Sequence, residues 1–292
     1  MTDKPRLSDH RTNPSNLTDV TISDMPLCSG RFFDIYVGEW SGRSVCFKVV
    51  RLPRVSSIKI SSSEVDRWRQ LSHPNILPFY GIYQNDKQVS LASPWMKKGD
   101  ITEYLKHDQT SDRVHFFDDV AQGLKYLHEN GIVHGDLKGK NVLVNEDGRA
   151  VLADFGTSSV IDADVLARVS SPSSVSQGTA RWRAPETFNF EGDDELPDTT
   201  ASDVYAFAMV AYEIFANQLP FPQLRVDISI MRAVVEGERP LRPPADSTSW
   251  SMWGLTDQIW SLMEACWLSQ SEQRPAMQDV IGHLGPSDGR NA

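Results

Sequence analysis

Residues 201–216 (ASDVYAFAMVAYEIFA) constrain this chain more than any other stretch. They read as a helix that is apolar nearly all the way round, and such a helix has no face to give to water. It must be a buried central helix, enclosed by other elements. The most apolar part, residues 204–216, is 13 residues long and contains Glu213. A membrane span needs roughly 20 apolar residues. The rest of the chain is therefore expected to wrap this helix in a soluble domain.

Strand-like material comes first. Residues 31–40 and 44–50 are aromatic and β-branched, separated by the turn-like Ser41-Gly42. Residues 61–71 predict a short helix with Val65, Trp68 and Leu71 near one face, ended by His73-Pro74-Asn75. Residues 76–83 and 88–94 read as two more strands. After Gly99 the pattern turns helical. A capping signal, Asp100-x-x-Glu103, opens residues 100–107, and a helical apolar period runs over 112–129 to the stop Asn130-Gly131. Two short strand pairs are expected around 132–144 and 150–153, then a serine-rich stretch over 158–176, then mostly helix. Runs of this kind, rather than alternation, predict an α+β fold with two lobes. The expected division is a flexible polar tail over 1–18, a small β-rich lobe with one helix over 19–96, a larger α-helical lobe over 97–284, and a tail over 285–292.

The 292 residues carry 29 basic and 39 acidic side chains, a formal charge of −10. That field disfavours nucleic acid and anionic membrane as partners. Three cysteines, Cys28, Cys46 and Cys266, are too few and odd in number for a secreted disulfide scaffold. The polar start lacks a signal peptide's apolar core. A cytoplasmic or nuclear location is expected.

Chemistry concentrates in four short motifs. They are Val45-Cys46-Phe47-Lys48, His134-Gly135-Asp136-Leu137-Lys138-Gly139-Lys140-Asn141, Asp154-Phe155-Gly156 and Ala184-Pro185-Glu186. Their order and internal register resemble the protein-kinase signature set over about residues 27–284. Residues 71–82 (LSHPNILPFYGI), 178–186 (GTARWRAPE) and 202–215 (SDVYAFAMVAYEIF), with Cys266-Trp267 and Arg274-Pro275, are similar to the tyrosine-kinase-like group. HGDLKGKNVLV is similar to loops of this group in mushroom-type fungi.

The resemblance implies a bilobal protein-kinase fold, ATP and Mg²⁺ as cofactors, and a protein substrate. Phosphoryl transfer asks the protein for positioning and charge neutralisation. Asp136 is expected to accept the proton of the substrate hydroxyl, and Lys138 to stabilise the γ-phosphate. Asn141 and Asp154 are expected to hold Mg²⁺. Lys48 would contact the α- and β-phosphates, oriented by Glu64, although Ser61-x-x-Glu64 also reads as a capping box. By register, Ser93 is the gatekeeper and Pro94-Trp95-Met96 the hinge, with Pro94 and Met96 bonding adenine. Gly30, Ile35, Cys46 and Leu143 complete the nucleotide pocket. Asp100 is either a ribose contact or a helix N-cap. Trp68, Phe79, His134 and Phe155 are expected to stack as an internal spine anchored by Asp203. Glu186 and Arg274 are expected to pair as a buried ion pair. Lys138 together with Thr179 is the serine/threonine pattern.

Some positions depart from the family. Only Gly30 survives of three expected loop glycines, and Cys28 and Phe33 should stiffen the loop or hold it off. Cys46 replaces a smaller alanine above adenine. Gly135 replaces the arginine that normally pairs with a phosphorylated activation loop. Seven serines between Gly156 and Gly178 are either autophosphorylation sites or a flexible polar segment. Residues 187–200 carry five acids and no Lys or Arg, which favours either basic substrates or simple solvation. Three readings follow: an active serine/threonine kinase, a pseudokinase scaffold with weak or no ATP turnover, and a small-molecule kinase. The GTARWRAPE segment argues against the last.

Overall fold

The structure, a computed structural model, describes residues 17–30, 33–51, 62–85, 88–110, 112–155, 178–188 and 197–284. Ser61, Gly156, the activation-loop serines and the acids at 191 and 193–195 lie outside the described residues. The chain divides into two compact units. The first takes the described residues up to Leu71, with Pro78–Trp95. The second takes Ser72–Leu77 and the described residues from Met96 onward.

The first unit is an antiparallel sheet with one helix. Its strands are β1 (Val20–Ile22), β2 (Cys28–Ser29), β3 (Phe33–Trp40), β4 (Arg43–Val50), β5 (Gly81–Gln84) and β6 (Val89–Pro94), ordered β1-β3-β4-β6-β5 with β2 paired to β3. Alternation along β4 decides its faces. Val45, Phe47 and Val49 are buried, and Val45 and Phe47 cluster with Ala92 beneath Tyr36, Trp40, Tyr80 and Tyr83. Leu17, placed in the tail by sequence, packs on this cluster and donates its N–H to the Ile82 carbonyl at 2.8 Å. Helix α1 (Ser62–Gln70) buries Val65 and Trp68, and Trp68 meets the Phe79 ring edge-on at 5.5 Å.

The second unit is mostly helical. Its main elements are α2 (Ile101–His107), α3 (Val114–Glu129), the β7 (Val142–Val144) and β8 (Ala150–Leu152) hairpin, α4 (Thr200–Ala216), α5 (Asp227–Val235), α6 (Thr248–Ser251), α7 (Asp257–Cys266) and α8 (Met277–Leu284). Helix α4 is buried from Ser202 to Phe215 and packs against α2, α3 and α7. A reciprocal capping box of Thr199 and Ser202 starts it, and Asn217, at φ 52°, ends it in the left-handed conformation. Phe117 of α3 touches Phe207 and Phe215 of α4 at 5.0 and 5.7 Å.

The expected strand over 76–83 is realised only from Gly81, as β5. Residues 76–80 are not strand: Ile76 makes one parallel bridge to Leu152, and the Leu77 N–H donates to the Leu152 carbonyl. Asn75 steers this segment, donating its Nδ2 to the Ala150 carbonyl while its own carbonyl accepts from Leu152. Gly123 of α3 permits the approach, because a Cβ there would meet the Asn75 carbonyl at 2.7 Å. Of two expected strand pairs, only β7–β8 forms. The stretch before it is spent on side-chain-held loop.

A buried arginine closes the helical ends. Arg113 has no exposed surface, stacks on Trp253 at 3.6 Å, and donates to the carbonyls of Ile214, Leu105 and Asp108. These carbonyls belong to the ends of α4 and α2, where the helix dipole is negative. Burial lowers the guanidinium to about 10, so it stays charged at neutral pH. Arg113→Met should cost about 2–4 kcal/mol of stability, because three carbonyls lose their donor. Arg113→Lys should fall between, since one ammonium cannot reach all three. Urea midpoints of the three proteins check this, and equal midpoints would refute it.

Candidate functional site

In the first unit the face of β4 opposite the buried cluster carries Cys46 and Lys48. Their direct partners share that face: Val37 and Ser93 for Cys46, Ile35 and Leu91 for Lys48. Period-two geometry thus gathers Ile35, Cys46, Lys48 and Ser93, four of the residues assigned to nucleotide. Pro94 ends β6, and the division between the two units falls between Trp95 and Met96, inside the expected hinge. Met96 accepts from the Gly99 N–H at 3.1 Å. Glu64 lies on α1, its carboxylate 4.0 Å from the Arg67 guanidinium. The Lys48 ammonium lies 4.3 Å from the centre of the Phe33 ring.

In the second unit the loop 134–141 has no strand to hold it, and two buried acids of α4 take that part. Asp203 accepts from the backbone N–H of His134 at 2.7 Å and of Gly135 at 3.0 Å, and contacts His128 Nε2 at 2.9 Å. His134 is buried, its Nδ1 accepts from the Asp136 N–H at 3.4 Å, and its ring meets Phe155 edge-on at 6.2 Å. Burial lowers the His134 imidazole from its ordinary value, against the pull of the nearby Asp203 carboxylate. Gly135 has φ 76°, and a Cβ there would lie 3.2 Å from the Asp198 carboxylate, so glycine suits the turn.

Asp136 is left 42% exposed at the end of this anchored loop. Lys138 Nζ donates to both its carboxylate oxygens, at 2.9 and 2.7 Å. Asn141 Nδ2 donates to its carbonyl at 2.7 Å and to Oδ2 at 3.0 Å. The Asn141 carbonyl accepts from Ala153 at 2.9 Å, which brings Asn141 beside Asp154. Asp154 is exposed and held at φ 63°, a left-handed conformation costly for a residue with a Cβ. With its Nδ2 spent on Asp136, Asn141 offers Oδ1. An amide oxygen and a carboxylate are hard donors that suit Mg²⁺, which takes its remaining ligands from phosphate and water. Leu143 sits on β7, bridged to Asp100. Asp100 Oδ1 caps α2, accepting from the Glu103 N–H at 3.0 Å and from the Thr102 hydroxyl, so the capping alternative is realised.

Residues 178–188 are tied down on the same unit. Thr179 is buried and its carbonyl accepts from Trp182. Arg181 donates to the carbonyls of Pro220, Phe221 and Leu224, each at 2.6 Å. Arg274 donates to both oxygens of Glu186, at 2.6 and 2.7 Å, and to the Ala201 carbonyl in the first turn of α4.

Sequence reasoning gave no role to Glu213. Its Oε2 accepts from the Gly139 N–H at 2.8 Å and from Trp182 Nε1 at 2.7 Å, joining the catalytic-type loop to residues 178–188. Gly139 is needed there, since a Cβ would meet Glu213 Oε2 at 2.8 Å. The signal was present: Glu213 is the single charge in residues 204–216. Burial pushes its carboxyl up to about 7, against the pull of Trp182 and Gly139. A raised acid binds its proton more tightly folded than unfolded. Its contribution to stability is therefore full below about 4.5 and is lost as pH rises to about 7, by about 3 kcal/mol. Glu213→Gln, which mimics the protonated form, should abolish that slope. Urea denaturation from pH 4.5 to 8 checks this, and parallel stability curves for the two proteins would contradict it.

With this geometry in place, comparison with known proteins is direct. Residues 22–284 match the family described as protein tyrosine and serine/threonine kinase. A probable LIM domain-containing serine/threonine-protein kinase of Dictyostelium discoideum is 31% identical over 91% of this chain and 39% of its own length. The serine/threonine/tyrosine-protein kinase HT1 of Arabidopsis thaliana is 28% identical over 89% of this chain and 64% of its own. The serine/threonine-protein kinase STY17 of the same plant is 28% identical over 87% and 42%. The chain thus spans between about two fifths and two thirds of these relatives. No helix among the described residues is long and apolar enough to cross a membrane. The α4-anchored loop, the strand-borne lysine and the matched span together place the chain in the protein tyrosine and serine/threonine kinase family.

Proposed function

We propose that this chain transfers the γ-phosphoryl group of Mg·ATP to serine and threonine hydroxyls of proteins, as a tyrosine-kinase-like member without the arginine before its catalytic aspartate. The observation that carries the reading is Asp136: a half-exposed carboxylate fixed by Lys138 and Asn141 at the end of a loop bolted to α4. In this reading Asp136 accepts the proton of the attacking hydroxyl. Lys138 already touches that carboxylate and neutralises charge between it and the transferred group. Asn141 and Asp154 supply two metal oxygens, and Lys48 takes the α- and β-phosphates. In this reading the groups for adenine are Ile35, Cys46, Ser93 and Pro94 of the first unit and, of the second, Met96 and Leu143. Mg·ATP, when bound, supplies the phosphoryl group and the cation that offsets its charge. The single surviving loop glycine and the Phe33 ring on Lys48 favour a second reading, a kinase-fold scaffold with little turnover.

Transfer to a mixed Ser/Thr/Tyr peptide library with Mg·ATP separates the two. Labelling confined to Ser and Thr, falling by roughly 10²-fold or more in Asp136→Asn, is the expected result. No labelling by either protein, with magnesium or manganese, would favour the scaffold. Gly135 removes the usual partner of a phosphorylated loop, so phosphatase-treated enzyme should keep its activity. Complete loss after treatment would overturn that independence.

A further inference from the structure

The β2–β3 hairpin, which would cradle phosphate, spends its own polar groups internally. In β2–β3, Cys28 pairs with Ile35 and Ser29 with Asp34. The Gly30 N–H donates to the Phe33 carbonyl at 2.7 Å, inside the turn. The Gly30 carbonyl accepts from Arg51 Nη1 at 2.8 Å, and Arg51 Nε lies 3.4 Å from Asp34 Oδ2. A Cβ at residue 30 would meet the Phe33 carbonyl at 3.1 Å, so the surviving glycine serves this turn. Phe33 stands where a third glycine would leave open space, and its ring lies against the Lys48 ammonium.

Both groups that would meet polyphosphate in this unit are thus engaged. The Gly30 amide is spent on Phe33, and one side of the Lys48 ammonium is covered by an aromatic face. We propose that Phe33 is a gate for nucleotide: it holds Lys48 in a cation–π contact that the phosphates must displace, and Arg51, bound to Gly30 and Asp34, is the latch that keeps Phe33 in place. The proposal rests on Lys48 being the phosphate-contacting lysine. Phe33 acts through Lys48 and is a positioning residue.

The latch is made to open. Arg51 is 49% exposed, and pairs of that kind are weak. Asp34 Oδ1 is buried without a hydrogen-bond partner among the described residues, so the Arg51 contact leaves this carboxylate half satisfied. The ring on Lys48 is worth a modest factor. A phosphate approaching Lys48 brings full opposing charge and displaces the ring at a cost in affinity, not a block.

The test is a series at residue 33, read first by calorimetric titration with Mg·ATP. Phe33→Leu keeps apolar volume and removes the aromatic face. It should tighten Mg·ATP roughly 2- to 30-fold, the range such a contact spans, and Phe33→Trp should weaken it. Arg51→Gln should tighten it too. In turnover, Phe33→Leu should lower the KM for ATP and leave kcat unchanged, a split that simple loss of packing would not give. Acetylation of Lys48 by acetic anhydride, followed by mass spectrometry without nucleotide, should be faster in Phe33→Leu than in the parent. Equal affinities and equal acetylation across the series would overturn the gate while leaving the kinase reading intact. Faster acetylation with no Mg·ATP binding by any folded variant would overturn the nucleotide reading, and the gate as a nucleotide device with it.

Discussion

The hydrogen bonds from α4 to the loop 134–141 are the constraint on which the rest of the site depends. The loop has no strand ladder, so its amides need other acceptors in a buried setting. Asp203 takes two of them and Glu213 takes a third. Both acids stand on a helix whose other buried side chains are almost all apolar, which fixes their positions by packing rather than by solvent. Asp136, Lys138 and Asn141 inherit that rigidity. The same helix receives Arg274, which brings Glu186, and Glu213 receives Trp182. One buried helix thus organises both the loop residues proposed for the chemistry and the segment 178–188.

Much of this was legible in the sequence, for physical reasons that differ by element. Residues 44–50 read as strand because they are aromatic and β-branched, and the alternation that then puts Lys48 and Cys46 on one face is the structure's. The all-apolar stretch 201–216 announced a central helix, because no amphipathic face exists to leave outside. The residues from His134 to Asn141 were legible through their resemblance to the protein-kinase signature, which is what implied a part for Asp136, Lys138 and Asn141.

The remainder depended on tertiary contacts that local pattern cannot carry. Residues 76–80 read as strand because a short apolar run says only that something is buried. Here Asn75 and Leu152 decide its path. Arg113 satisfies carbonyls on two helices distant in sequence, and nothing beside it in the chain advertises that. Asp100 carried two signals, and the cap is the one its Oδ1 makes. Glu213 was visible as an isolated charge, but its partners Gly139 and Trp182 lie far from it in sequence. The bond from Arg51 to the Gly30 carbonyl follows only once β4 has been paired with β3.

The central claim is that carboxylates of α4 hold the loop 134–141 as firmly as the core itself. Native-state hydrogen exchange at the His134, Gly135 and Gly139 amides tests it most directly. The account predicts that these three amides exchange as slowly as those in the middle of α4, opening only with the unit as a whole. Exchange at the rate of exposed loop amides would contradict it, and would mean that the loop is positioned by something other than Asp203 and Glu213.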